Sequence, residues 1–185
     1  MAEYFDIRTP DGKITGEVKE RSLVHRDGDL HGTVHIWLWR MKAGRIQLLL
    51  QLRAPDKDSY PGCYDISSAG HLVAGTDYPE GAKRELFEEL GVDAGENLTL
   101  IGWQTECDDT EFYGKPFRNH EINALYLHHC EQDEDSFVLQ PSEVSAVRWM
   151  DADEILAGIK DGSLKHCLRA DEVTRVVKAI QQQNS

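Results

Sequence analysis

Short β-strands are predicted over much of the chain by alternating apolar and polar residues, because a half-buried strand turns successive side chains to opposite faces. Residues 4–8 and 14–18 alternate on either side of the turn sequence Pro10-Asp11-Gly12, which predicts an N-terminal hairpin. Further strands are predicted at residues 34–40, 46–53, 64–68, 98–106, 122–128 and 144–150.

Helices are indicated where apolar residues recur every three or four positions. The central helix begins after Asp77, which stands three residues before Glu80 in the spacing of a capping box, and it stops at Gly91. Helices are predicted in total at residues 78–90, 151–159 and 171–182, whereas the polar, acidic residues 106–120 predict a loop.

The order of these elements indicates the fold class. Strands precede and follow one central helix, and helices close the chain, which favours an α/β fold with a mixed β-sheet covered on both faces. A chain of 185 residues is long enough for one domain with a real core. We predict a single domain over residues 1–185, with residues 1–30 as an N-terminal hairpin extension and residues 163–185 as the C-terminal helix.

Composition narrows the classes of partner. The formal net charge of −13 argues against a nucleic-acid polymer or an anionic membrane, because both are themselves negative. The N-terminal residues lack the basic start and apolar run of a signal peptide, and no apolar run approaches the ~20 residues that span a bilayer. The four cysteines are scattered without a C-x-x-C pair, so we expect a reducing, cytoplasmic setting.

The central helix carries an unusual concentration of negative charge. Glu85, Glu88 and Glu89 stand at i, i+3 and i+4, so three carboxylates project from one side and repel one another. A divalent cation is the simplest neutraliser, and a cluster of oxygen ligands suits Mg²⁺ or Mn²⁺. A separate apolar stripe can dock this helix on a core through Ala82, Leu86 and Leu90.

This stretch resembles the Nudix box, which consists of Gly, five residues, Glu, seven residues, Arg-Glu, an aliphatic residue, any residue, Glu-Glu, any residue, Gly and an aliphatic residue. One position departs, because Thr76 stands where the box has its first Glu, a residue that mainly supports the loop in the family. The resemblance implies an α/β/α sandwich with a mixed β-sheet. The matching positions are Gly70, Arg84, Glu85, Leu86, Glu88, Glu89, Gly91 and Val92.

The same resemblance implies roles for these residues in a metal-dependent hydrolase of phosphoanhydrides. Glu85, Glu88 and Glu89 would bind Mg²⁺, or Mn²⁺, with a backbone carbonyl near Gly70 as a further ligand. Either Glu88 or Glu89 would activate the attacking water. Arg84 would orient the glutamates through a salt bridge.

The residues before and within the start of the box narrow the resemblance. Residues 51–71 resemble the corresponding stretch of isopentenyl-diphosphate isomerases and of the Nudix proteins most similar to them. By that resemblance Arg53 and Lys57 would bind the diphosphate, Arg as a planar fork of donors and Lys as a point charge. The isomerases also bind a metal through three histidines, and the matching positions are His25, His31 and His71.

One departure argues against isomerase chemistry. The isomerases carry a catalytic cysteine two residues before the last of those histidines, where this chain has Ala69. Alanine cannot donate a proton to an alkene, so hydrolysis is favoured. The leading hypothesis is a hydrolase that cleaves a phosphoanhydride bond in a nucleoside diphosphate linked to another moiety, or in a similar small diphosphate. The alternatives are an isomerase-like enzyme and a non-catalytic nucleotide-binding sensor.

Several assignments stay open on the sequence alone. Glu121 and Glu143 are candidates for a further base or ligand, although a structural acid at the edge of a strand is the favoured interpretation of Glu121 and also explains Glu143. The three histidines are either metal ligands or ordinary surface and loop residues. The N-terminal hairpin either pairs across a homodimer or caps its own sheet. In every hypothesis the partner is a small-molecule diphosphate, whose remaining part no residue pattern specifies.

Overall fold

The computed structural model of the protein describes residues 2–57, 59–112 and 114–183. Residues 1 and 185, the predicted ends of the domain, lie outside these ranges. The elements, in chain order, are β1 (Tyr4–Arg8), β2 (Ile14–Glu20), α1 (Arg21–Asp27), β3 (His31–Lys42), β4 (Arg45–Arg53), β5 (Tyr64–Asp65), β6 (Ser68–His71), α2 (Tyr78–Leu90), β7 (Thr99–Phe112), β8 (Lys115–His129), a 3₁₀ turn (Glu134–Ser136), β9 (Val144–Asp151), α3 (Ala152–Asp161) and α4 (Ala170–Gln183).

The main sheet is mixed, as predicted. Within the described part of the chain it has seven strands, in the order β5-β4-β3-β8-β7, with β6 added along β3 and β9 along β4. β3 and β8 run parallel, with His31 beside Glu121 at one end and Trp39 beside His129 at the other. The remaining neighbours are antiparallel, and β1 and β2 form a separate hairpin sheet.

β3 shows why both faces of this sheet are covered. Val34, Ile36 and Leu38 are fully buried in one apolar cluster with residues of α2. Trp37 and Trp39 belong to a second cluster on the opposite face, with residues of α3 and α4. The period-two alternation of β3 therefore separates two cores, and the predicted α/β/α sandwich is confirmed. In the described part of the chain, every helix is too short or too polar to cross a bilayer.

The prediction of a loop at residues 106–120 is wrong. β7 and β8 continue through it as a long antiparallel hairpin, in which Glu106 pairs with Glu121 and Asp108 with Asn119. This hairpin has few apolar residues because its inner side chains, such as Glu106 and Asp108, face a polar cavity while its outer ones face solvent. Without an apolar face, the alternation that signals a strand is lost.

The single strand predicted at residues 64–68 is also wrong. Its start pairs with β4 as β5, whereas Ser68–His71 pairs with β3 as β6. Ser67 lies between β5 and β6 and links β3 to β4. Its hydroxyl donates to the Leu49 carbonyl of β4 at 2.6 Å and accepts from the Leu38 amide of β3 at 2.8 Å. The Ser67 side chain thereby supplies the hydrogen-bond partners that the backbones of β3 and β4 do not give each other at this point.

The short helix α1 has no counterpart among the predicted elements. Its seven residues make barely two turns, too few for a helical period to show, and Glu20 provides no side-chain cap. The helix ends at Gly28, whose φ of 74° is left-handed. Its buried side chains are Val24 and His25, so α1 brings a histidine inward.

Candidate active site

A cavity of about 1330 Å³ lies against the face of the sheet that carries α4. Thr33 and His35 of β3 and Glu172 of α4 form part of its wall. The predicted site residues share this cavity, although their chemical roles stay predictions. Its lining includes Arg53, Lys57, Gly70, His71, Arg84, Glu85, Glu88 and Glu89, together with the open candidates His25, Glu121 and Glu143.

α2 presents its glutamates from a firmly anchored helix. The Asp77 side chain accepts from the Glu80 amide at 2.9 Å, and the helix ends at Gly91 with a φ of 68°. The adjacent side of α2 is packed into the core by three residues with no exposed surface, namely Ala82, Leu86 and Leu90.

Gly70 is required by the approach of Glu85. A Cβ at position 70 would fall 2.1 Å from Cδ of Glu85, so any side chain larger than hydrogen would displace that carboxylate. Arg84 pairs with Glu85 Oε1 and also donates to the His71 carbonyl at 3.1 Å. These contacts hold Glu85 against β6, and the orienting role of Arg84 stays a prediction.

Burial alters the protonation of the glutamates. Glu89 is 6% exposed, and desolvation, to which the charge of Glu85 adds, raises the pKa of Glu89 to about 8. The amide of Ala69 donates to Glu89 Oε2 at 3.3 Å. Burial also raises the pKa of Glu85, against the opposing effect of Arg84, whereas Glu88 is exposed. Carboxylates in such surroundings retain protons unless a cation neutralises them.

The loop that contains Thr76 is tied to the N-terminal hairpin. The Gly75 amide donates to Asp6 Oδ2 at 2.8 Å, and the Ala74 amide donates to the Tyr4 carbonyl at 2.8 Å. β1 therefore supports the loop from outside at the place where the box lacks its first Glu.

Three histidines from separate elements meet at one point. His25 comes from α1, His31 from β3 and His71 from β6, and one ring nitrogen of each lies within 4.8 Å of the others. Burial, the largest cause, lowers the pKa of His25 and His71 to about 3 and that of His31 to about 4. The rings are therefore neutral near pH 7, the form in which imidazole binds metals.

The free nitrogens of this histidine cluster fit a divalent metal ion. Nε2 of each ring is buried without a hydrogen-bond partner among the described residues. His31 Nδ1 donates to the Asp29 carbonyl at 2.9 Å, so its Nε2 carries the lone pair. Glu121 Oε1 adds a carboxylate 3.4 Å from His71 Nε2 and 3.9 Å from His31 Nε2. The histidines thus form one cluster, not scattered surface positions, and ligation itself stays a prediction.

Phe5 of β1 fixes the orientation of two of these rings. It stacks on His31 with ring centroids 5.3 Å apart and on His71 with centroids 4.8 Å apart. Phe5 has no exposed surface and packs with Val24 of α1. The N-terminal hairpin and α1 therefore form one wall of the histidine cluster.

The two predicted phosphate ligands already have acidic partners. Arg53 Nη1 donates to Asp65 Oδ2 at 2.8 Å and the guanidinium also donates to the Ser59 carbonyl. Lys57 pairs with Glu143. Both cations line the cavity, and their binding of substrate stays a prediction.

Sequence reasoning missed two residues of the cavity wall, the partly buried His35 and the buried Glu172. His35 Nδ1 lies 3.0 Å from Glu172 Oε1 although the two residues are 137 positions apart in the chain. The sequence did carry a signal for Glu172. With Val176 and Ile180 it stands at i, i+4 and i+8, so a carboxylate lies on the apolar face of α4.

Of the four cysteines, Cys63 and Cys130 are buried, Cys107 is exposed, and Cys167 borders the cavity. Cys63 is 8% exposed and is not among the described residues that line the cavity. Cys167 lines the cavity, and its thiol donates to the Tyr64 carbonyl at 3.6 Å. Burial raises the pKa of Cys167, so this thiol is protonated near pH 7.

Comparison with known families assigns the chain to one of them. The model of the NUDIX domain matches residues 29–170. The chain belongs to the Nudix family. The resemblance inferred from the box is therefore confirmed. Nudix enzymes generally use divalent metal ions, and the metal ligands named for this chain stay a prediction.

Two relatives of known name place the chain more closely. Nudix hydrolase 3 of Arabidopsis thaliana is 44% identical over 160 residues, which are 82% of this chain and 20% of that protein. The chain thus spans about a fifth of the length of that relative. An isopentenyl-diphosphate Delta-isomerase of Pectobacterium atrosepticum is 28% identical over 148 residues, 77% of this chain and 73% of that protein, which supports the predicted subgroup.

Solved Nudix structures share the fold. A crystal structure from Deinococcus radiodurans has a TM-score of 0.70 at 22% identity, covering 94% of this chain and 98% of that chain. The Nudix domain of Shewanella oneidensis NrtR, solved with ADP ribose, has a TM-score of 0.58 at 13% identity, covering 80% of this chain and 87% of that chain. Identities this low establish the fold alone.

Proposed function

We propose that this chain is a metal-dependent Nudix pyrophosphohydrolase. It cleaves a phosphoanhydride bond in a nucleoside diphosphate linked to another moiety, or in a similar small diphosphate. The observation that carries the proposal is the box at the cavity, which Glu85, Glu88 and Glu89 line and where Glu85 lies against Gly70. The name of the Arabidopsis relative supports hydrolysis, and the ADP ribose of the Shewanella domain is a compound of the proposed class.

The cavity and the buried histidine cluster beside it offer two sets of ligands for divalent cations. Glu85, Glu88 and Glu89, with the carbonyl of Gly70, would hold Mg²⁺ or Mn²⁺ through oxygen. A bound divalent ion supplies Lewis acidity at a phosphoryl oxygen and lowers the pKa of a bound water. The second set, of mixed nitrogen and oxygen ligands, consists of His25, His31, His71 and Glu121.

The protein groups supply positioning and proton transfer. Glu88 or Glu89 accepts the proton of the attacking water. Arg84 keeps Glu85 in place through their ion pair. Arg53 and Lys57 bind the diphosphate oxygens, in competition with the carboxylates that they contact in the free protein.

A turnover screen read by mass spectrometry tests the proposal. The protein is incubated with Mg²⁺, and separately with Mn²⁺, and with nucleoside triphosphates, nucleoside diphosphates, nucleotide sugars, dinucleotides and isopentenyl diphosphate. We expect cleavage of a phosphoanhydride bond, and the preferred compound identifies the leaving group. Tight binding of one compound without any turnover would contradict the proposal and favour the sensor hypothesis.

Glu89→Gln tests the role of the buried carboxylate. The amide keeps the shape of the side chain but can neither accept a proton nor neutralise a cation, so we expect kcat to fall by at least about 10²-fold. Glu154→Gln, an exposed substitution on α3, is the matched control and should leave kcat unchanged. Equal kcat in Glu89→Gln and the parent would show that Glu89 has no catalytic role.

The isomerase alternative is favoured by one observation, because a protonated thiol, that of Cys167, does line the cavity. The histidine cluster and the similarity to the Pectobacterium isomerase point the same way. In the turnover screen an isomerase would convert isopentenyl diphosphate to a product of unchanged mass, and Cys167→Ala would abolish this conversion. Phosphoanhydride cleavage that survives Cys167→Ala would exclude this alternative.

A further inference from the structure

A buried hydrogen-bond network joins His35 to Glu172 outside the box and the histidine cluster. Glu172 is 3% exposed and lies in the first turn of α4. Its carboxylate accepts from Trp37 Nε1 at 2.8 Å, lies 3.0 Å from His35 Nδ1 and accepts from Gln104 Nε2 at 3.5 Å. Donors from two strands therefore surround one carboxylate, and the helix N-terminus favours its negative charge.

This network holds the His35 ring in one orientation and leaves one nitrogen free. Glu172 is the acceptor at Nδ1, so the other ring nitrogen, Nε2, is the one available for a ligand. Among the described residues, Nε2 has no hydrogen-bond partner. The ring lines the cavity and its side chain is 14% exposed, so a ligand in the cavity can reach it.

The His35 ring is also charged near neutral pH. Burial alone would disfavour the charge, but the Glu172 carboxylate outweighs it and raises the pKa of His35 to about 9. Glu106 and Glu121 act in the same direction from β7 and β8. Glu172 in turn has a lowered pKa in spite of its burial, because it faces His35. The pair is thus a partly buried cation beside a buried anion, with the donor edge of the cation facing the cavity.

The register of the sheet brings this ring next to the box. His35 on β3 lies opposite Ala69 on β6, whose amide donates to Glu89. Directly opposite residues of antiparallel strands have Cβ atoms about 4.5–5.5 Å apart, and alanine adds only a methyl group there. The alanine that stands in place of the isomerase cysteine is therefore the cross-strand neighbour of His35.

We propose that His35 is a substrate-binding residue whose Nε2–H donates a hydrogen bond to a phosphate oxygen of the diphosphate, and that Glu172 is the positioning residue that fixes its ring. The identity of the ligand rests on the proposed function. A fixed cationic donor offsets the repulsion between an anionic substrate and a wall that also contains Glu106 and Glu121.

Binding of inorganic pyrophosphate to the full chain tests the proposal without any turnover. Isothermal titration calorimetry at pH 7 with Mg²⁺ compares the parent with His35→Gln, Glu172→Gln and the control His129→Gln, an exposed position on β8. We expect about tenfold weaker binding for His35→Gln, the loss of one charge-assisted hydrogen bond, and weaker binding for Glu172→Gln. The control should bind as the parent does.

A second measurement avoids any dependence on a folded variant. In ¹⁵N NMR spectra of the parent, the ring signal of His35 should shift when pyrophosphate saturates the protein, because Nε2–H gains an acceptor. A ring that only supports the fold would not shift. An unshifted His35 ring, or pyrophosphate affinity of His35→Gln within about twofold of the parent, would overturn the proposal. If the turnover screen finds no hydrolysis while pyrophosphate still shifts His35, the proposed function alone has failed.

Discussion

A methyl group at position 70 would occupy the place of the Glu85 carboxylate, since a Cβ there falls 2.1 Å from Glu85 Cδ. We expect Gly70→Ala to lower the free energy of unfolding by about 1–3 kcal/mol through overpacking. It should also lower kcat, because the displaced Glu85 leaves its contact with Arg84. Denaturant unfolding and a turnover assay measure the two effects.

A double variant separates the steric effect at position 70 from the chemical one. Gly70→Ala combined with Glu85→Ala removes the side chain that clashes, so most of the lost stability should return while turnover stays low. If the double variant unfolds as easily as Gly70→Ala alone, the clash with Glu85 is not the cause of the destabilisation.

At this scale the sequence predicts residues that act through fixed local spacing. Glu85, Glu88 and Glu89 could be recognised because a helix dictates which positions share a face. His35 and Glu172 could not, because 137 positions separate them and only the packing of α4 on β3 brings them together. The three histidines were intermediate, since a family resemblance suggested them and the fold had to show that they meet.

At the scale of elements, β1 supports the loop that precedes α2. The Asp6 carboxylate accepts from the Gly75 amide at 2.8 Å, so Asp6→Ala should leave that amide without its partner. We expect faster hydrogen exchange at Gly75 and a lower kcat, because the box loop becomes less ordered while the core of the domain is untouched.

Hydrogen-exchange NMR and a turnover assay check this effect against Glu17→Ala, an exposed substitution on β2 of the same hairpin. The control should exchange and turn over like the parent. Unchanged exchange at Gly75 in Asp6→Ala would mean that the loop keeps its order without β1.

Helices and apolar strands were the predictable elements, and polar strands were not. β3 and α2 each bury a regular apolar face, so their residue period is visible in the sequence. The β7–β8 hairpin faces a polar cavity on one side and solvent on the other, so its sequence resembles that of a loop. The polar surroundings of the site are thus the reason that these two strands were not predicted along their full length.

For the whole molecule, the two ligand sets predict two classes of Mn²⁺ site, one in the cavity and one at the histidine cluster beside it. Calorimetric titration of the metal-free protein should show both classes, and His31→Gln should remove one of them. His129→Gln, which changes an exposed histidine, should retain both. A single class of site in the parent, unaffected by His31→Gln, would show that the histidine cluster binds no metal.

The α/β class was accessible from the order of elements alone, and the family match confirms it. The boundaries of the N-terminal extension at residues 1–30 and of the C-terminal helix at residues 163–185 stay predictions, as does the homodimer. The sequence marks these two boundaries only weakly, because the N-terminal hairpin and α4 border the same cavity as the central segment.

The matched Nudix segment, residues 29–170, does not contain the whole cavity. Phe5 and His25 precede it and Glu172 follows it. Phe5 and His25 belong to the surroundings of the histidine cluster, and Glu172 contacts His35. A protein engineer who grafted the matched segment alone into another chain would transfer the glutamates and leave behind one histidine of the histidine cluster and the residue that positions His35. The box glutamates thus lie within one transferable segment. The residues that surround them in this cavity come from both ends of the chain as well.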